Sequence, residues 1–446
     1  MNFITRTADK LYDGESEFRF VSLNVPSLTI GEDPVWHRVN EFEQEDAIKT
    51  IAQMRGKVLR VYCFAVSGCA EPKSSYHINA PGEFNEELFC DFDRMLMLCN
   101  KHGIRVIVPF VDNWHWWGGI KEWAAFRGKS VAEFYTDSAV KADFKQFIHY
   151  VLNRRNTLTG VQYKDDPAIM CWESGNELEA RENDLPALTA WTREMAAYLK
   201  LSDSNHLVMD GRYWRWSPPV AEILHDENID ILTVHYYPDQ PLSYADSIRR
   251  DVALCQGLRP LVLGEFGMIK SAATEQLLIA GLECGVNGIL AWSLRFKNKD
   301  GGFYWHHEVH PEDDVYNSLH WPGFASNAGC EERQMLHLFR RYAFLIDGLT
   351  ETPIPAPDAP QLLPITAERK ISWRGSVGAE YYELQRKEAS TANWTTIAVD
   401  LSDGTQPFLP YSDNSAAPDK PYDYRLRAIN ASGKSPWSAI GSTIHL

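Results

Sequence analysis

Eight short apolar runs, separated by stretches of helical periodicity, constrain this chain more than any other feature. They are FRFVSLNV (18–25), KVLRVYCF (57–64), IRVIVPFV (104–111), AIMCWE (168–173), HLVMDG (206–211), IDILTVHYY (229–237), PLVLGEF (260–266) and VNGILAWS (286–293). Each suits a strand, and most are too apolar to leave one face in water, the pattern of parallel strands covered on both sides. Between them, segments such as FNEELFCDFDRMLMLCNKHG and DFKQFIHYVLNRR space apolar residues three and four apart, as a helix buried along one stripe requires. Eight such repeats are what a closed parallel barrel needs. The expected fold class is α/β, a (β/α)8 TIM barrel over residues 1–350 with its site at the carboxyl ends of the strands. An open doubly wound sheet is the weaker alternative, because no glycine-rich phosphate loop follows any run.

The texture changes at ETPIPAPDAPQLLP (351–364), a proline-punctuated linker. Beyond it, KISWRG, YYELQRK, WTTIAV and YDYRLRAIN alternate with period two, which predicts a small all-β, immunoglobulin-like sandwich over 365–446. The segment YDYRLRAINASGKSPWS (422–438) resembles the penultimate strand and following turn of a fibronectin type III module, with Tyr422 as its corner tyrosine. No acid pair clusters in this tail, so a spacer or docking role is expected.

The 446 residues carry a formal net charge of -16, which disfavours nucleic acid or an anionic membrane as partner. No run approaches 18 apolar residues, so no membrane-spanning helix is predicted. The opening MNFITRTADKLYDGESEF lacks the apolar centre and cleavage site of a leader; the expected location is cytoplasmic, or secreted if a leader has been removed. Eight cysteines, without CxxC pairs, sit mostly inside apolar patterns and read as buried free thiols in a reducing compartment. Twelve of the fifteen tryptophans lie between Trp36 and Trp321, several in loop-like stretches where flat rings suit stacking on sugars. Individually, Trp116, Trp117, Trp214 and Trp216 fit core packing as well as sugar platforms. The cluster WHHEVH (305–310) lacks helical histidine spacing and reads as a solvent or substrate loop rather than a metal site.

The chemistry concentrates at strand ends. IMCWESGNEL (169–178) runs from the fourth strand into Asn176 and Glu177, and the seventh strand ends in Glu265 within GEFG. Two carboxyls facing each other across a barrel mouth about 5 Å apart fit a retaining glycosidase, with Glu177 as acid/base and Glu265 as nucleophile. Asn176 is placed to hydrogen-bond the sugar 2-hydroxyl. Arg60, ending the second strand, and Tyr237, after the sixth, are donors for Glu265, and His235 on the same face joins the two acids. Glu173 lies deeper or points elsewhere by strand alternation.

This ordered set resembles glycoside hydrolase family 5 of clan A over roughly residues 10–345. VPFVDNWHWWGG (108–119) is similar to the β-mannanase and β-mannosidase branch. The resemblance implies that Trp292 floors the subsite of the sugar to be cleaved and that Asn113 and Trp114 line the cleft. Two departures stand out. His115 follows two positions beyond Asn113, where many members end strand three in histidine, and ESGNEL replaces the commoner NEP ending. The expected function is retaining hydrolysis of β-1,4-linked mannan or mannooligosaccharides, with no cofactor and no metal, on a β-linked oligo- or polysaccharide. A β-glucan- or β-glucoside-cleaving enzyme of the same family and a non-catalytic glycan-binding barrel are the alternatives. The long loops at about 294–329 and at 67–85 suggest a walled cleft and a preference for short mannosides over endo cleavage.

Overall fold

The computed structural model describes the chain apart from residues 33–34, 69–72, 181–183, 216, 239–241, 307–308, 311–314, 317, 325–330, 405–408, 418–419 and 444–446. All eight apolar runs become barrel strands: β1 Phe20–Asn24, β2 Val58–Arg60, β3 Arg105–Pro109, β4 Ile169–Glu173, β5 Leu207–Met209, β6 Leu232–Tyr236, β7 Leu261–Phe266 and β8 Gly288–Ala291. They form one parallel sheet ordered β5-β4-β3-β2-β1-β8-β7-β6. A parallel bridge from Met209 to Ile231 brings the two ends of the sheet together, so the barrel is nearly closed. Every residue of these strands is buried, which is why the runs are uniformly apolar rather than alternating.

Helices cover the outside. In α1, Glu41–Gln53, Asn40 caps the Glu43 amide while Glu43 returns to the Asn40 amide at 2.8 Å, satisfying orphan N–H groups reciprocally. α2, Glu86–His102, ends on Gly103 at φ +70°, a conformation open to glycine at no Cβ cost. The barrel floor is stoppered by an N-terminal hairpin, Ile4–Thr7 with Lys10–Asp13. From it Ile4, Leu11 and the following Phe18 enter one apolar cluster with Phe20, Ile107, Met170, Met209 and Leu290. The carboxyl ends of the strands form the opposite rim, where a barrel of this kind carries its site.

Beyond the proline-rich stretch lie antiparallel β-sheets. The largest is built on β9 Tyr381–Glu388, β10 Thr395–Leu401 and β11 Tyr422–Asn430, with β9 central between the other two. Tyr382, Leu384, Tyr424, Leu426 and Ala428 pack inward with Ile371 and Trp373. These sheets do not hang free, since Arg374 donates to the Lys299 carbonyl at 2.7 Å. The thiols Cys63, Cys90, Cys99, Cys171, Cys255 and Cys284 are free; Cys69 and Cys330 lie outside the described residues.

Close strand packing makes a test. A Cβ added to Gly288 of β8 would lie 2.2 Å from Cζ of Phe20, a fully buried ring on the adjacent strand. Gly288→Ala should therefore cost about 1–3 kcal/mol by overpacking. Chemical denaturation measures it, and adding Phe20→Leu to Gly288→Ala should recover part of the loss; an unchanged midpoint in the single variant would contradict the packing.

Candidate active site

Arg60 ends β2 with its side chain fully buried and spends its donors on four partners. Nε and Nη2 hold the two carboxylate oxygens of Glu173 at 2.7 and 3.0 Å. Nη2 also reaches Asn176 Oδ1 at 2.7 Å, while Nη1 reaches Glu265 Oε1 at 2.8 Å and Asn24 Oδ1 at 3.3 Å. A planar guanidinium with five fixed donors suits this convergence, and lysine offers no equivalent. Glu173 lies beneath the rim as the counter-charge of Arg60.

The stretch after β4 is stitched between its neighbours. The Asn176 amide donates to the Val111 carbonyl at 2.7 Å, and the Leu178 amide to the Gly211 carbonyl at 3.0 Å. A Cβ on Gly211, at φ +65°, would lie 2.0 Å from the Gly175 carbonyl oxygen, so these two loops meet backbone to backbone. Glu177 itself has φ +51°, a left-handed conformation that costs a non-glycine residue about 1 kcal/mol. The surrounding stitches hold it there and turn its carboxyl into the barrel mouth.

Glu177 and Glu265 are 9% and 4% exposed. Trp114 Nε1 donates to Glu177 Oε2 at 2.5 Å, and His235 Nδ1 lies 2.8 Å from Glu177 Oε1 and 3.5 Å from Glu265 Oε2. Tyr237 Oη donates to Glu265 Oε2 at 2.8 Å. Donor atoms of Glu177, His235 and Glu265 all lie within 4.8 Å of one another. A cation bound there would face the Arg60 guanidinium, 2.8 Å from Glu265, so the arrangement suits proton and sugar chemistry better than a metal.

Burial raises the pKa of both acids. For Glu177 the Trp114 hydrogen bond and Arg60 oppose that rise. Glu265 is pushed up to about 7 by burial and by the Glu177 carboxyl, against His235, Arg60 and Tyr237. Burial also lowers His235, keeping its ring neutral. Two buried carboxyls this close share one proton between them. Arg60 and Tyr237 both donate to Glu265 and so favour its ionised form against that rise.

The other residues expected from the sequence are distributed around this pair. Asn176 gives Nδ2 to Asp112 at 3.0 Å. Trp292 is 6% exposed, its ring 5.9 Å from Tyr62 and 6.2 Å from Trp116. Asn113 accepts the Glu179 amide at 3.4 Å and so ties two rim loops, while the ring of Trp114 stands 39% exposed at the mouth. His115 lies 3.7 Å from Glu122, apart from the acids. Trp117 is core, Trp116 and Trp214 are half-buried, and Trp216 lies outside the described residues, as do residues 307 and 308 of the histidine-rich cluster. Sequence reasoning missed Asp112 and Tyr62. Asp112, pushed up to about 7 by burial, accepts from Tyr62 Oη at 2.9 Å as well as from Asn176. Their signal was positional: Tyr62 follows Arg60 by two, and Asp112 immediately precedes Asn113.

A family model described as GH family 5 beta-mannosidase-like matches residues 2–278. Mannan endo-1,4-beta-mannosidase 7 of Arabidopsis thaliana is 40% identical over 184 residues, 36% of this chain and 43% of that protein. Mannan endo-1,4-beta-mannosidase 4 of Solanum lycopersicum is 34% identical over 274 residues, 54% of this chain and 65% of its own length. The chain thus spans about half the length of the curated relatives it matches. In fold, it is similar to the endo-beta-1,4-mannanase of Thermotoga petrophila, with TM-score 0.63 and 20% identity over 97% of this chain and 99% of that one. The family 5 mannosidase of Rhizomucor miehei gives TM-score 0.61 and 19% identity over 78% of this chain and 98% of that one.

The raised acids have a stability consequence. A carboxyl whose folded pKa exceeds its ordinary 4.5 binds more protons in the folded chain, so stability falls as pH rises from about 4.5 through about 7. Glu265→Gln removes that penalty. The melting temperature of the variant minus that of the parent should be larger at pH 8 than at pH 5; a difference independent of pH would show that Glu265 carries no such penalty.

Proposed function

The chain belongs to the β-mannosidase-like branch of glycoside hydrolase family 5, and on that premise we propose that it hydrolyses β-1,4-mannosidic bonds with retention of configuration. The observation that carries this reading is the acid pair, whose facing donor atoms lie within 4.8 Å, a spacing suited to direct attack rather than to an intervening water. In the first step Glu265 attacks the anomeric carbon, the glycosidic C–O bond breaks, and the Glu177 proton passes to the leaving oxygen. In the second, Glu177 takes a proton from water as that water attacks the anomeric carbon of the glycosyl ester, releasing the sugar and restoring the Glu265 carboxylate.

The flanking groups have consistent parts in this scheme. Arg60 and Tyr237 stabilise Glu265 as an anion before attack and as the leaving group afterwards. Trp114 and His235 orient the Glu177 carboxyl, whose proton affinity rises when Glu265 is negative and falls once it is esterified. Trp292 is the aromatic floor, and Asn176, its amide fixed by Arg60 and Asp112, faces the sugar 2-hydroxyl. Mannose is favoured over glucose because the curated relatives are named mannan endo-1,4-beta-mannosidases. The C-terminal sheets we read as a fibronectin type III-like module; supporting this, the Tyr422 hydroxyl accepts the Ala417 amide at 3.2 Å, as a corner tyrosine would.

Two experiments test the reading. Glu265→Ala should lose at least about a thousandfold in kcat, the scale of deleting a nucleophile, yet still bind mannooligosaccharide. Azide should restore turnover and yield an inverted glycosyl azide, whereas parental activity in this variant would remove Glu265 from the mechanism. With mannohexaose, proton NMR of the first product should show the β anomer. The relatives' names favour internal cleavage, against the short-mannoside preference expected from loop length. Mannobiose and mannotriose should therefore precede mannose, and mannose alone would restore the walled pocket.

A further inference from the structure

The loop after β8 is a hairpin that runs from the active site to the C-terminal sheets. It leaves Trp292, pairs Lys297 with Phe303 antiparallel, turns at Asn298–Gly302, and returns through Tyr304 to Trp305 and His306. At its inner end the His306 ring lies 5.9 Å from Trp116, which in turn lies 6.2 Å from Trp292. Trp305 packs against His320 with ring centroids 4.1 Å apart. The aromatic wall beside the acid pair is therefore partly built on this hairpin.

Its outer end is gripped from two sides. From α1, Asp46 accepts the Lys297 amide at 3.0 Å, and Glu43 accepts the Lys299 amide at 2.9 Å and the Tyr304 hydroxyl at 2.6 Å. From the C-terminal sheets, Arg374 donates to the Lys299 carbonyl at 2.7 Å while its guanidinium covers the Phe42 ring of α1 at 5.2 Å. Lys297, 1% exposed, has Asp46 at 3.8 Å and Asp403, itself 2% exposed, as its second acidic neighbour. Tyr382 donates to Asp403 at 2.5 Å. A Cβ on Gly375 would lie 2.1 Å from Asp403 Oδ2, 2.4 Å from Tyr382 Oη and 2.7 Å from Lys297 Cε, so hairpin and sheets interlock where only glycine fits.

We propose that the C-terminal module is a positioning element of the active site, in which Asp403 and Arg374 clamp the hairpin 295–304 and thereby hold His306 against Trp116 in the wall beside Trp292. A buried lysine between two acids is the reason such a clamp is specific: removing one acid leaves the buried ammonium undercompensated, which loosens the hairpin. A spacer would have no use for this contact. The kinetic part of the proposal rests on the mannosidase reading; the clamp itself does not.

The test uses the full chain with Asp403→Asn and, as control, Trp437→Ala in the stack of Arg425 and Arg427 on the module. Hydrogen exchange at the hairpin amides of Arg295, Asn298 and Tyr304 should accelerate at least tenfold in Asp403→Asn and stay parental in Trp437→Ala. On mannohexaose, KM should rise about fivefold with kcat within twofold, since Glu177, Glu265 and Arg60 are not held by the hairpin. Should Asp403→Asn fail to fold, Arg374→Ala, which removes the Lys299 contact, the Phe42 cover and an exposed hydrogen bond to Gln361, is read in the same way. Parental exchange in the folded variant overturns the clamp. Accelerated exchange in Asp403→Asn together with a parent that cleaves no mannoside upholds the clamp and refutes the mannosidase reading, while accelerated exchange with an unchanged KM overturns the positioning role.

Discussion

A single buried guanidinium organises the barrel mouth. Arg60 neutralises Glu173 beneath the rim, fixes Asn176 beside it and supports Glu265 across it, so residues from β1, β2, β4 and β7 converge on one planar group. Burying an isolated guanidinium would be prohibitive, and burying Glu173 alone would be little better. Together, with every partner hydrogen-bonded, they form a fully satisfied network, and the remaining carboxyl of Glu265 inherits its orientation from that network.

The same economy of donors separates the two acids. Both are buried, and burial alone would protonate both. Asymmetry comes from what surrounds them: Arg60 and Tyr237 on Glu265, an indole N–H and a neutral imidazole on Glu177. Backbone geometry contributes as well, because the left-handed turn at Glu177 is imposed by loops that meet at Gly175 and Gly211. Strain at that position is stabilised by stitches on both sides, so the acid sits on a stiff support rather than on a mobile tip.

Much of this was legible in the sequence, for a definite reason. Strands covered on both faces leave uninterrupted apolar runs, and all eight runs end within four residues of a barrel strand end. Polar residues at the carboxyl ends of such runs have few places to go except the rim, which made Arg60, Glu177, His235, Tyr237 and Glu265 readable as one set. What stayed hidden depends on contacts far apart in the chain. Nothing in KNKDGGFYW announces a hairpin wedged between α1 and Asp403, some hundred residues later, and Asp112 acquires its meaning only when Asn176 is brought to it. The floor plug was hidden likewise, since Ile4 and Leu11 look like any short amphipathic hairpin until the barrel closes over them.

That plug gives the molecule the topology of a cup rather than a pipe. With Ile4, Leu11 and Phe18 sealing the base, whatever reaches the acids and whatever departs from them must cross the same rim. Incoming and outgoing molecules then compete for one doorway, and the rim loops govern traffic in both directions. Changes to the lip of the cup will alter how fast it empties as much as what it admits.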